Sequence, residues 1–295
     1  MRLFGFASVL LLTLLFTRSA SAGRLQDVED TAQAHGADDG DDDDSSSAGD
    51  SSSDSSSSDG GGAFGRVLMH IVLAPWTLPH ALADDPCFTG FALHPYADGP
   101  GLMRPRAGPK CIPGASDSPL TEAQAAADTS RRFAAHADLE GGYVLGNIVA
   151  GSIGARLSLP LRIELEGRMT MWQDLAARPR EQALGGTLLA GFRFAQARNV
   201  TFRTGAGVRV FSLHETLAGF DLLYGMDVFG QHPIMFHLDL HGGSLGGALA
   251  GEVRATLGVQ LWKLELYAGY DHTAFASKGR VTRLGGPVIG LRAWF

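Results

Sequence analysis

From Phe133 to Phe295 the chain alternates apolar and polar residues with a period of two, and no other feature restricts its fold as strongly. In LRIELEGRMTMW, Ile163, Leu165, Met169 and Met171 stand against Arg162, Glu164, Glu166, Arg168 and Thr170. Wound into a helix, those charges would circle the whole surface; drawn out as a strand, they share one face. The same alternation runs through RFAAHADLEGGY, GSIGARLSL, ALGGTLLAGFRF, VTFRTGAGVRVF, FDLLYGMDVF, IMFHLDLH, GEVRATLGVQLW, KLELYAGYD and the terminal GPVIGLRAWF. The pattern predicts about ten strands, each near the ~9–11 residues of a tilted membrane-crossing strand.

The connections sharpen the expectation. Leu159-Pro160, Gln196-Ala197-Arg198-Asn199, Gly230-Gln231-His232-Pro233 and Trp262-Lys263 read as tight turns. QDLAARPREQ and FASKGRVTRLG read as longer polar loops on the opposite side. An even number of antiparallel strands with this asymmetry predicts an all-β, up-and-down transmembrane barrel. Its polar face would then line the lumen. That face carries Arg156, Arg162, Arg168, Arg193, Arg203, Arg209, Arg254 and Arg292. Opposite them are Asp138, Glu140, Glu164, Glu166, Asp221, Asp227, Asp239, Glu252, Glu265 and Asp271, with His237 and His241 between. Buried charges left single are prohibitively costly, so a dense network of ion pairs is expected. Side chains largely fill a small barrel, which argues against an open pore for large solutes.

The start of the chain carries export and spacer signals. Residues 1–22 (MRLFGFASVLLLTLLFTRSASA) combine a basic start, an apolar run and a small-residue cleavage site, the features of a cleaved signal peptide. No other stretch is long and apolar enough for a membrane helix, so a spanning structure must be a closed barrel. Residues 23–62 hold twelve acids and one arginine, a charge of −11 within a total of −7. Their Asp/Ser/Gly-rich composition predicts a disordered linker. The body from residue 63 onward is near neutral and has no basic patch, which excludes nucleic acid as a partner.

Residues 63–131 read as a loop-rich periplasmic or plug segment, with one short helix over 118–132. Cys87 and Cys111 are the only cysteines, and an oxidising compartment favours their pairing, worth roughly 3 kcal/mol in the chain-entropy account. His70, His80, His94, Asp84 and Asp85 match no metal-ligand spacing, so neither a metal nor a cofactor is expected.

Taken together, the export signal, the alternation, the loop asymmetry and the terminal Phe295 resemble the outer-membrane β-barrel superfamily. The resemblance covers residues 133–295, expected as the barrel domain over 132–295, together with the signal peptide. It implies that Ile289, Leu291, Ala293 and Phe295 form the C-terminal signal read by the barrel assembly machinery. It also implies outer-membrane lipid as a partner and both termini in the periplasm. The sequence carries no signal of oligomeric state. The expected function is an outer-membrane scaffold or narrow conduit. Two other readings keep the same alternation. One is an outer-membrane hydrolase of lipid or peptide, using His237, Asp239 and His241 with Asp271 and Ser244, although G-x-S-x-G is absent. The other is a soluble lipocalin-like barrel with its apolar face inward.

Overall fold

A computed structural model describes residues 24–33, 75–81, 83–97, 101–105, 131–144, 147–177, 180–277 and 280–295. The expected signal peptide, most of the acidic linker, Cys111 with its bridge, and residues 118–130 lie outside them.

The architecture is a closed barrel of ten antiparallel strands. Helix α1 (Arg24–Gln33) and a two-stranded ribbon, β1 (Phe88–Phe91) and β2 (Met103–Pro105), precede it. The barrel strands are β3 (Ala134–Val144), β4 (Ile148–Ser158), β5 (Ile163–Asp174), β6 (Glu181–Gln196) and β7 (Val200–Ser212). They continue with β8 (Thr216–Phe229), β9 (Ile234–Leu245), β10 (Ala248–Leu261), β11 (Leu264–Ser277) and β12 (Arg280–Trp294). Each strand pairs with its sequence neighbours, and β12 returns to β3 through the register Val288↔Gly142 to Trp294↔His136. Pro287 has no N–H to give a ladder, and pairing with β3 ends beside it at Val288.

The alternation has a definite sense. Leu139, Ile153, Leu165 and Leu257 are 66, 57, 44 and 55% exposed, while Arg203 and Glu265 are 1 and 0% exposed. Every barrel strand places large apolar side chains on the outside, among them Leu188, Val208, Phe220, Leu240, Leu266 and Ile289. The lipocalin-like arrangement is therefore overturned, because ionic side chains occupy the interior. A water-facing surface rarely exposes more than a few hundred Å² of contiguous apolar area, and this belt goes round the whole cylinder.

Four features depart from the sequence reading. The strands run 11–16 residues, longer than expected, because backbone pairing continues past the last alternating apolar residue. FASKGRVTRLG is no loop: Ser277 pairs with Arg280 across the β11–β12 tip. The two sides consequently have similar, short connections, and the predicted loop asymmetry does not hold. Leu161 and Arg162, read as strand, lie in the β4–β5 turn at φ 62° and 66°. Pro160 starts that turn, and Leu159 N–H donates across it to Ile163 O at 2.8 Å.

The fourth departure is α1, which falls within the stretch expected to be disordered. Leu25, Val28 and Ala32 form one stripe and are fully buried in the mouth ringed by the β3–β4, β5–β6, β7–β8, β9–β10 and β11–β12 hairpins. They pack on Val144, Phe211, Leu245, Ala248, Phe275 and Leu284. The composition argument rests on the Asp/Ser tract that begins at Asp38, whereas the apolar spacing of RLQDVEDTAQ is helical.

At the opposite end, residues 83–97 and 101–105 lie across the other mouth. Phe91, Leu102 and Met103 pack there on Ala134, Phe229, Met235 and Trp294. Arg24–Gln33 and Phe295 therefore sit at opposite ends of the cylinder.

Candidate functional site

Between the two apolar ends the lumen is ionic. On β4, Arg156 meets Glu166 at 3.0 Å, Asp227 at 3.0 Å and Asp239 at 3.9 Å. Arg203 on β7 adds Glu166 at 3.4 Å, Glu164 and Asp227 at 3.8 Å, and a close pair with Asp239. Reaching Asp239 means crossing β8, and Gly225 makes the crossing possible. It lies between Arg203 and Asp239 in register, and a Cβ there would stand 2.5 Å from Arg203 Nη1.

The network extends along the lumen in layers. Arg193 pairs with Glu164 at 3.0 Å, and its guanidinium stacks 4.9 Å from the Phe91 ring of the end cap. Nearer α1, Arg209 joins Asp221 at 3.2 Å and Glu252 at 3.0 Å. Arg254 pairs closely with Glu140 and lies 3.9 Å from Asp271. Arg168 lies 3.9 Å from Asp138, and Arg292 meets Glu265 at 3.0 Å. Guanidinium forks suit this role, since each offers several donors to carboxylates on different strands. Taking such charges out of water is costly. Shared contacts and supporting bonds, such as Ser158 Oγ donating to Glu164 at 2.8 Å, are what compensate.

The histidines are parts of this lining. His237 bridges Asp227 at 2.6 Å and Glu265 at 3.2 Å, one partner on each ring nitrogen. His241 Nδ1 is 2.8 Å from Asp221. Ser244 stands on β9 with outward parity, opposite to His241, and its Oγ accepts from Phe220 N–H at 3.3 Å. Ser244 and His241 thus lie on opposite sides of the wall and do not form a nucleophile–base pair. Among the described residues no group of His, Cys, Asp or Glu could hold a metal ion.

Arg162 is the residue that sequence parity misplaced. It belongs to the rim, where it pairs with Asp84 at 3.0 Å and ties the end cap to the barrel. Asp84 also accepts from Gln196 N–H at 3.1 Å. Ile289 and Leu291 face outward from β12, which pairs with β3 at Ala293↔Ala137, and Phe295 just beyond its end is exposed.

Sequence reasoning missed a second polar site, at the α1 mouth. Glu29, 4% exposed, accepts from Glu215 N–H at 2.7 Å, His214 N–H at 3.1 Å and the His214 ring at 2.8 Å. Burial would raise the Glu29 pKa, but these hydrogen bonds outweigh it and hold the carboxyl below its ordinary range. The hydrogen bond to Glu29 in turn raises His214. Only the LxxVxxxA spacing of α1 could have pointed to this contact.

No protein-family model and no curated protein matches the chain. Among solved structures, Neisserial surface protein A (NspA) is similar at 16% identity over 55% of this chain and 97% of its own, with a TM-score of 0.31. CdiB from Acinetobacter baumannii is similar at 8% identity over 56% of this chain and 61% of its own, with a TM-score of 0.20. Both are outer-membrane β-barrel proteins.

Proposed function

We propose that this protein is an integral outer-membrane β-barrel whose lumen is closed by its own ion pairs, a scaffold rather than a pore. The observation that carries the reading is the apolar belt present on all ten barrel strands, combined with an ion-paired lumen. Lipid is the solvent in which that arrangement is stable, and a closed barrel leaves no backbone edge exposed to it. Closure of the lumen is supported by arginines that bridge several strands and by packing across the mouth at the Phe295 end. In this reading the Phe295 end faces the periplasm, residues 1–22 are removed on export, and Cys87 bonds Cys111. The barrel assembly machinery would read the outward face of β12.

Fractionation with heat-modifiable gel migration tests the membrane reading. A band in the outer membrane that shifts on boiling is expected, whereas recovery in the soluble periplasm refutes it. Planar-bilayer recording tests closure: a silent bilayer is expected, and steady unitary currents would show a conduit instead. Intact-mass and thiol-alkylation measurements read the cleavage site and the bridge.

A further inference from the structure

Helix α1 occupies its mouth in the manner of a ligand. Leu25, Val28 and Ala32 fill the apolar rim, and the Glu29 carboxylate takes three donors from His214 and Glu215. Those donors belong to the β7–β8 turn, so they stay in place without the helix. Beneath α1 a cavity of about 90 Å³ continues inward along Trp172, Phe211, Phe275 and Leu284 to an ionic floor that includes Arg209 and Asp271.

The seat is also hard to reconcile with a barrel in a bilayer. α1 and the Phe295 end would lie on opposite sides of the membrane, joined through residues 34–74. That stretch carries nine aspartates and cannot cross hydrocarbon, and the ion-paired lumen leaves it no open path. Insertion would therefore vacate the mouth.

We propose that the vacated mouth binds a long-chain carboxylate, a fatty acid, for which α1 is the intramolecular stand-in. The head group takes the place of Glu29 between the two amides and the His214 ring, and the chain replaces the Leu25–Val28–Ala32 stripe and enters the cavity. Two amides and one imidazole suit a single anionic charge. Nearby Glu181 and Glu215 disfavour polyanionic heads. The ionic floor limits how deep the chain can reach. Only the vacancy of the mouth rests on the membrane reading; the site itself does not.

The probe is cis-parinaric acid, a fluorescent eighteen-carbon carboxylate, titrated into the full barrel in nonionic micelles; a micelle, unlike a bilayer, is finite, and residues 34–74 are long enough to pass round it, so α1 competes there. Val28→Asp removes α1 from competition by placing a charge in its apolar stripe, and Leu25→Asp repeats the test should the first variant misfold. Parinaric acid should bind Val28→Asp about tenfold more tightly than the unaltered protein. Adding His214→Ala, or using the methyl ester as probe, should weaken binding by about tenfold, the scale of a lost charge-assisted hydrogen bond. Equal affinity of Val28→Asp and the unaltered protein, or equal binding of acid and ester, overturns the proposal. Heat-modifiable migration is recorded on each sample. An intact barrel that binds no probe counts against the site alone, and a protein that never forms the barrel band counts against the membrane reading.

Discussion

Replacing Arg203 by Met probes the lumen at its most buried charge. Arg203 is 1% exposed and touches Glu164, Glu166, Asp227 and Asp239. The consequences for the four carboxylates differ. Glu164 keeps Arg193 at 3.0 Å, while Glu166 and Asp227 keep Arg156 at 3.0 Å. Asp239 keeps only Arg156 at 3.9 Å, a distance beyond a hydrogen bond, and it is 5% exposed. Removing one partner from a buried pair costs about 3–5 kcal/mol, chiefly because the other charge is left uncompensated. That is a large share of a typical domain stability of about 5–15 kcal/mol.

The assay is reversible urea unfolding in lipid vesicles, followed by tryptophan fluorescence and heat-modifiable migration. Adding Asp239→Asn removes the bare charge, so the double variant should recover a substantial part of the loss, with a coupling of about 1–3 kcal/mol. A loss below about 1 kcal/mol for Arg203→Met, or full additivity with Asp239→Asn, would refute the idea that the lumen is held by compensation.

Gly225→Ala places a methyl 2.5 Å from Arg203 Nη1 and should cost about 1–3 kcal/mol, a cost largely absent in an Arg203→Met background. Leu257→Arg or Leu139→Arg should cost about 2–4 kcal/mol in vesicles if these positions lie near mid-bilayer; a change near zero would contradict a lipid-facing belt. The α1 contact should depend on pH in both directions. His214 is raised from its ordinary 6.5, so its share is complete below 6.5 and lost as pH climbs through the raised value. Glu29 is lowered from 4.5, so its share is complete above 4.5 and lost on acidification. In detergent, with Asp30, Glu181 and Glu215 as the acids around the pair, α1 should therefore resist proteolysis best between about 4.5 and 6.5. Protection that is flat from pH 3 to 9 would contradict this.

Face assignment was legible because a strand's period of two is local: Leu165 and Glu164 must point oppositely whatever the rest of the chain does. Strand ends were less legible, since ladder hydrogen bonds need only a neighbouring backbone. β11 and β12 accordingly continue through FASKGRVTRLG. Parity also fails across a turn, which is how Arg162 left the lumen for Asp84. α1 escaped because a short polar helix has little stability alone and gains its order from the mouth that receives it.

The number of strands, their antiparallel up-and-down order and the charged character of one face follow from side-chain spacing along the chain. Which arginine meets which carboxylate, how Gly225 lets Arg203 reach past a strand, and where α1 finds a seat follow from the folded cylinder alone. Those contacts join residues far apart in sequence, and their geometry exists only once the cylinder has closed.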